Sequence, residues 1–262
     1  MPDRTVLDDS DIVYVYDGSY HGLFTAIFDA VYSHRVPADI VSQDRLQLTF
    51  NTRFIEVDTD SAKANRVLKA AREKLGKDAV SRIYRAFLSS GENREIAIYN
   101  YLMLGFKMGS KANNFLTDRF VFTVSALSQN VSRETDKLMG FMRFSVMESG
   151  VQYCRFSPEN NILPLMLSHF AARFSGIPLV IHDTKRRLLG IYDTKERYIV
   201  SAEGFTPPEK SSDEENFESM WMLFYNTIGI KERKNIKLMK QMMPARYFRH
   251  YWDYTPDAQA SD

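Results

Sequence analysis

His182 and Asp183 are the residues of this sequence that are best placed for acid–base chemistry. They stand side by side after the apolar run Leu179-Val-Ile181, which is typical of a buried strand, and three basic residues follow at 185–187. A histidine beside a carboxylate at a strand end can act as a general acid–base pair. We expect both side chains at a solvent-accessible mouth. The alternative is an ordinary hairpin in which Asp183 shapes the turn.

A second candidate site lies on a predicted short helix just upstream. His169 and Arg173 are four residues apart and therefore share one helical face. Together they suit contact with a phosphate, and His169 would join the catalytic candidates. Alternatively, both side chains lie along the sheet edge with their polar ends in water.

The sequence offers little for a metal or a cofactor. None of the five histidines forms an HExxH or HxxxH pair, and Cys154 is the single cysteine, so we predict no metal site. We also expect no cofactor, because no GxGxxG fingerprint is present. The segment 105–111, GFKMGSK, departs from a Walker A loop and follows a helix, so it fits a tight joint between helices. Its two lysines could meet a phosphate backbone or simply be solvated.

The most polarised part of the chain is its C-terminal region. Residues 229–252 contain seven basic residues against one acidic residue, interleaved with aromatic residues. Such a mixture suits nucleic acid, because cations meet phosphates and aromatic rings meet bases. The alternative is an amphipathic helix whose lysines are only solvated. The candidate nucleic-acid contacts are Lys107, Lys111, Arg143, Arg173, Arg186, Arg187, Lys237, Lys240, Arg246 and Arg249.

The elements that must position these residues change in character near Gly140. Before it, after the strands predicted at 12–16 and 54–57, apolar residues recur at helical spacing; after it, short runs are separated by turn residues. We therefore predict an α+β fold with a helical N-terminal half, an antiparallel sheet of about five strands near 141–202, and C-terminal helices. The predicted domains are 1–139 and 140–262, which could also form one continuous domain.

The composition is that of a folded protein and argues against a membrane protein or an iron–sulfur protein. The chain has 262 residues, 44% of them hydrophobic, and a net charge of +1, which suits an ordinary folded protein. No apolar run approaches 18 residues and the N-terminus has no apolar signal segment, so we expect a cytoplasmic protein without a membrane partner. One cysteine cannot hold an iron–sulfur cluster by itself.

Several separated segments resemble a bacterial family of DNA-metabolism or DNA-repair proteins. They occur in collinear order over nearly the whole chain. The segments are YDGSYHGL from Tyr16, RIYRAFLS from Arg82, YLMLGFKMG from Tyr101, GFMRFS from Gly140, LPL to HFAARF between Leu163 and Phe174, IHDTKR from Ile181 and MPARYFRHY from Met243. Phe248 in the last segment is a mild departure from the family pattern, which more often has tryptophan there.

The resemblance implies a role beside a radical S-adenosylmethionine protein that acts on DNA. Some longer relatives carry a uracil-DNA glycosylase-like domain, which we expect this chain to lack. Because Cys154 is the single cysteine, any radical step would belong to the partner. Three hypotheses remain: a DNA-binding accessory protein, a DNA-processing enzyme (nuclease, lyase or glycosylase) that uses His182, Asp183 and His169, and an adaptor that binds only protein.

Overall fold

The computed structural model describes residues 12–47 and 52–228, together with Gln241 and Tyr247. The chain divides into two compact units, Met1–Ser132 and Arg133–Asp262. The named elements, in chain order, are β1 Ile12–Tyr16, α1 Tyr20–Tyr32, β2 Asp39–Ser42, β3 Arg53–Glu56, α2 Ser61–Leu75, α3 Lys77–Leu88, α4 Arg94–Met108, α5 Arg119–Phe141, β4 Ser145–Val146, β5 Gln152–Phe156, α6 Leu163–Arg173, β6 Leu179–Asp183, β7 Leu188–Tyr192, β8 Arg197–Ser201 and α7 Ser212–Ile228.

A three-stranded parallel sheet of order β2-β1-β3 organises the N-terminal unit. Its central strand, IVYVY, is rich in β-branched and aromatic residues, and four of its five side chains are buried. The register sets Tyr14 opposite Ile40 in β2 and opposite Ile55 in β3. Helix α1 makes the crossover between the first two strands, as a parallel pair requires.

Side chains cap the N-termini of two helices of this unit, and a glycine follows the C-terminus of one of them. The Ser19 hydroxyl accepts a hydrogen bond from the Gly22 amide at 2.8 Å and caps α1, while the Asp60 carboxylate accepts from Ala62 and Lys63 and caps α2. Helix α2 ends at Gly76, where φ is 93°, a conformation that glycine adopts without strain.

A buried carboxylate joins α4 to the sheet. Glu95 is 2% exposed and accepts hydrogen bonds from the Tyr16 hydroxyl at 3.0 Å and from Arg94 Nε at 2.9 Å. Arg45 donates to the same carboxylate oxygen. Because a buried charge without partners is strongly destabilising, this cluster fixes the first turn of α4 against the ends of β1 and β2.

The C-terminal unit contains a five-stranded sheet of order β4-β5-β6-β7-β8. Helix α6 packs on one face of it. A Cβ placed on Gly190 in β7 would lie 2.9 Å from Leu163 Cδ1 and 3.4 Å from Leu167 Cδ2, both on α6. Glycine at this position therefore lets the helix lie close to the strand.

The predicted α+β class and the five strands after Gly140 are confirmed, but the expectation of a purely antiparallel sheet is wrong. Strands β5 and β6 are parallel, with Cys154 opposite Ile181, and the other three pairings are antiparallel. The reason is α6, which returns the chain to the end of the sheet where β5 began, so β6 must run in the same direction. Strand β2 was not predicted.

Among the described residues, none of the helices combines the length and the apolar composition that a membrane span requires.

Candidate nucleic-acid interface

The structure places His182 and Asp183 on opposite faces of β6. Asp183 is 0% exposed, so the expectation that both side chains face solvent is wrong for this residue. Its Oδ1 accepts hydrogen bonds from the amides of Lys185 at 3.0 Å and Arg186 at 3.1 Å, and its Oδ2 from Arg186 Nη1 at 3.2 Å. Burial raises the pKa of Asp183, while these donors lower it. The carboxylate thus shapes the turn after the strand.

His182 is half-buried on the face of the sheet away from α6. Its Nδ1 lies 2.9 Å from the Tyr153 hydroxyl, and the Phe205 ring packs edge-on against the imidazole at a centroid distance of 5.5 Å. Burial lowers the pKa of His182, although the Asp183 charge opposes this, and burial raises the pKa of Tyr153 to about 12. Both shifts favour the neutral forms of the two side chains that share this hydrogen bond.

The third catalytic candidate does not join this pair. His169 is exposed on α6, and α6 packs on the opposite face of the sheet, the one that carries Ile181 and Gly190. The sheet therefore lies between His169 and His182. The geometry does not bring the three candidate catalytic residues together.

The predicted nucleic-acid contacts of the C-terminal unit have different surroundings. Arg186 is engaged inside the fold: besides Asp183 it donates to the Pro158 carbonyl at 3.2 Å and to the Glu159 carbonyl, which ties one loop to the next. Arg143, Arg173 and Arg187 are exposed. Lys237, Lys240, Arg246 and Arg249 lie outside the described residues.

The N-terminal unit carries a cation-aromatic cluster between α1 and α2. The rings of Phe28 and Tyr32 are stacked, with centroids 4.1 Å apart and planes 20° apart. The Arg66 guanidinium lies 5.3 Å from the Tyr32 ring and 5.8 Å from the Phe28 ring, and the Lys63 ammonium is also 5.8 Å from Phe28. Tyr32 is 54% exposed, so part of this aromatic surface faces water.

The cations of α2 continue from this cluster towards the end of the helix. Lys69 is exposed, and Lys74 lies 5.6 Å from the Phe106 ring at the end of α4. From Lys63 to Lys74 the helix rises by about 16 Å, at 1.5 Å per residue. That length matches about five phosphates of one strand of a DNA duplex, which are spaced about 3.4 Å apart along the axis.

The joint after α4 is fixed beside the end of α2. Asn113 donates from its side chain to the Leu75 carbonyl at 2.8 Å and accepts from the Tyr101 hydroxyl at 2.6 Å. The exposed Lys107 and Lys111 flank Gly109, whose φ is 66°. We call the following set the basic surface: Lys63, Arg66, Lys69, Lys74, Lys107 and Lys111.

Among the described residues, few carboxylates pair with the cations of the basic surface. Lys63 forms an ion pair with Asp29 at 2.8 Å, and this hydrogen bond raises the pKa of Lys63. Lys69 lies 4.0 Å from Glu73 and both side chains are largely exposed, so this pair is weak. In residues 12–47 and 52–228, Arg66, Lys107 and Lys111 have no carboxylate within 4.0 Å.

Sequence reasoning predicted Lys107 and Lys111 as contacts but missed the cations of α2. The signal was present, since residues 61–77 contain six basic residues and one acidic residue. The ring pair of α1 could not be found in this way, because its position beside Arg66 depends on how two helices pack.

Comparison with known proteins shows the family but not an activity. Residues 92–253, more than half of the chain, match a family model described as a domain of unknown function, DUF4130. No curated protein matches the chain. The match includes α4 and its joint, α5 and the whole five-stranded sheet. The chain therefore belongs to the DUF4130 family.

Proposed function

We propose that this protein binds DNA through the basic surface of its N-terminal unit. The observation that carries the proposal is the Arg66 guanidinium, which lies beside two stacked aromatic rings, on a helix that also carries Lys63, Lys69 and Lys74. Proteins that bind single strands combine a cationic track for the phosphates with aromatic faces for the bases. The half-exposed Tyr32 ring offers such a face.

We further propose that the protein serves as an accessory in DNA repair or DNA metabolism, beside a radical S-adenosylmethionine enzyme. The support is the collinear resemblance and the single cysteine, Cys154, which is buried in β5. A cluster that starts radical chemistry needs several thiolates, so the partner would perform that step. The separation of His169 from His182 by the sheet weighs against the enzyme hypothesis.

Fluorescence anisotropy with labelled single- and double-stranded oligonucleotides over a salt series tests the DNA contact. If about five phosphates are neutralised, the logarithm of the affinity should fall against the logarithm of the salt concentration with a slope of about −4 to −5. The double variant Arg66→Glu/Lys69→Glu should make the slope shallower by about 2 and weaken binding to every sequence alike.

The matched control is Lys137→Glu/Arg155→Glu, which changes the net charge equally at two exposed residues of the C-terminal unit that are not among the predicted contacts. If both double variants weaken binding equally, the effect is one of net charge and the basic surface is not the site. Tyr32→Ala should weaken single-strand binding by about five- to 160-fold, the range for loss of one stacked base. Salt-independent binding, or no binding at low salt, would contradict the proposal and leave the protein-only adaptor.

The accessory role has its own test. The isolated protein should leave damaged oligonucleotides chemically unchanged, as followed by denaturing electrophoresis and mass spectrometry. Turnover that is lost in His182→Ala would replace the accessory role with the enzyme hypothesis.

A further inference from the structure

The two edge strands of the five-stranded sheet, β4 and β8, have different neighbours. At one end, residues 209–211 run beside β4: the Ser211 amide donates to the Val146 carbonyl at 3.0 Å, and the Glu148 amide to the Glu209 carbonyl at 3.1 Å. At the other end is β8, whose five residues are all exposed and which has no further strand beside it among the described residues. Within the described residues, only the β4 edge is therefore covered.

The pairing with β7 determines which backbone groups of β8 point outwards. The Ala202 amide donates to the Arg187 carbonyl at 2.8 Å, and the Asp193 amide to the Glu196 carbonyl at 3.2 Å. Hydrogen-bonded pairs alternate along an antiparallel ladder, so Tyr198 and Val200 bond to β7. The amides and carbonyls of Arg197, Ile199 and Ser201 then point to the open edge.

The open edge lacks the usual devices that prevent pairing. It has no proline and no bulge, and its central residues Tyr198, Ile199 and Val200 are 43%, 39% and 40% exposed. Arg197 carries the only charge of the strand, and its guanidinium donates to Ser168 on α6 at 2.7 Å. An exposed edge of this kind, with an apolar centre, is a template for another strand.

We propose that β8 is a dimerisation strand, which pairs antiparallel with β8 of a second copy of this chain about a two-fold axis at Ile199. In this register Ile199 faces Ile199 of the second copy, and Arg197 faces Ser201. All three residues with outward backbone groups are then used in each copy, which gives about six hydrogen bonds between strands. A shift by one residue would point these groups away from their partners, and a shift by two would leave part of them unpaired.

The side chains are complementary in the same register. Tyr198 faces Val200 of the second copy, an aromatic–β-branched pair of the kind that stabilises sheets. Just beyond the strand ends, this register brings the turn that carries the exposed Lys195 close to the turn that carries Glu203 of the second copy, and symmetry repeats this approach of opposite charges. No like charges face each other from 195 to 203. The edge is thus self-complementary in backbone, apolar contacts and charge.

Sedimentation velocity over a concentration series, with Ile199→Pro, tests the dimer. The Ile199 amide does not bond to β7, so proline there removes no hydrogen bond of the monomer, yet it removes both central bonds of the dimer. We expect the dimer dissociation constant to rise at least about tenfold, while circular dichroism stays that of wild type. A monomer up to about 1 mM, or a dimer that Ile199→Pro does not weaken, would overturn the proposal.

Exchanging the charges of Lys195 and Glu203 tests the register of the dimer independently of the Ile199→Pro variant. Lys195→Glu and Glu203→Lys, each alone, set like charges opposite each other twice and should weaken the dimer about three- to tenfold. The double variant should restore it. If the double variant is as weak as the singles, the register is wrong.

Hydrogen exchange followed by NMR gives an independent readout. The amides of Arg197, Ile199 and Ser201 should exchange more slowly as the protein concentration rises. Those of Tyr198 and Val200, already bonded to β7, should not change. Equal protection of all five amides would contradict the edge-to-edge arrangement.

Discussion

Replacing Glu134 by glutamine should destabilise the C-terminal unit strongly, although the two side chains have nearly the same shape. Glu134 lies in α5, is 9% exposed and accepts four hydrogen bonds. Its Oε1 accepts from the Glu159 amide at 2.7 Å and the Tyr247 hydroxyl at 2.6 Å, and its Oε2 from the Asn160 amide at 2.8 Å and the Asn160 side chain at 2.6 Å. All four partners are donors.

Glutamine offers one oxygen, so its NH₂ group must face two of these donors. A flip of the Asn160 side-chain amide can restore one bond, but a backbone amide cannot turn round. One buried donor is left unsatisfied and the remaining bonds lose their charge, which together cost about 2–4 kcal/mol. With a urea m-value of about 2 kcal/mol/M, the midpoint should fall by about 1–2 M.

Urea unfolding followed by tryptophan fluorescence measures this change. Both tryptophans, Trp221 and Trp252, belong to the C-terminal unit, so the signal reports that unit. The control is Glu196→Gln, an exposed glutamate on the turn before β8, which should change stability by less than about 0.5 kcal/mol. A Glu134→Gln effect as small as that of the control would refute the reasoning.

Two further predictions concern titratable groups of the C-terminal unit. The pKa of His182, measured by NMR, should lie below 6.5, because burial disfavours the imidazolium. The unfolded chain then binds this proton more strongly, so stability should fall as the pH drops through about 6.5, and less so in His182→Gln. The Cys154 thiol is buried and its pKa is raised to about 12, so a thiol reagent such as DTNB should modify it only at the rate of unfolding; fast modification of the native protein would contradict its burial.

The elements with a strong local pattern could be predicted from the sequence. The strand Ile12–Tyr16 and the helix that begins at Tyr20 lie where their β-branched run and their apolar spacing indicate. Strand β2 could not be predicted in this way, since DIVS is short and its strand conformation depends on pairing with β1. The parallel direction of β6 likewise depends on the path of α6, which residue type does not encode.

In the candidate site, too, features that depend on neighbouring residues could be predicted from the sequence, whereas contacts between distant residues could not. The sequence allowed two interpretations of Asp183, a catalytic residue or a residue that shapes the turn. Its hydrogen bonds from the amides of Lys185 and Arg186 support the second interpretation. That His182 and Asp183 point to opposite faces follows from the strand period of two. The contact of Arg66 with Tyr32 joins residues that are distant in sequence, so only the packed helices reveal it.

The buried Glu95 bears on how far the family's folding unit extends. The matched region begins at residue 92, but the carboxylate of Glu95 is bonded to Tyr16 and Arg45, which lie before it. A fragment that starts at residue 92 would leave this charge without two of its partners and would uncover the apolar side of α4, including Ile98 and Leu102. Recombinant production of the matched region therefore needs the preceding residues in the same polypeptide, and homologous regions cut at that position should accumulate as insoluble material.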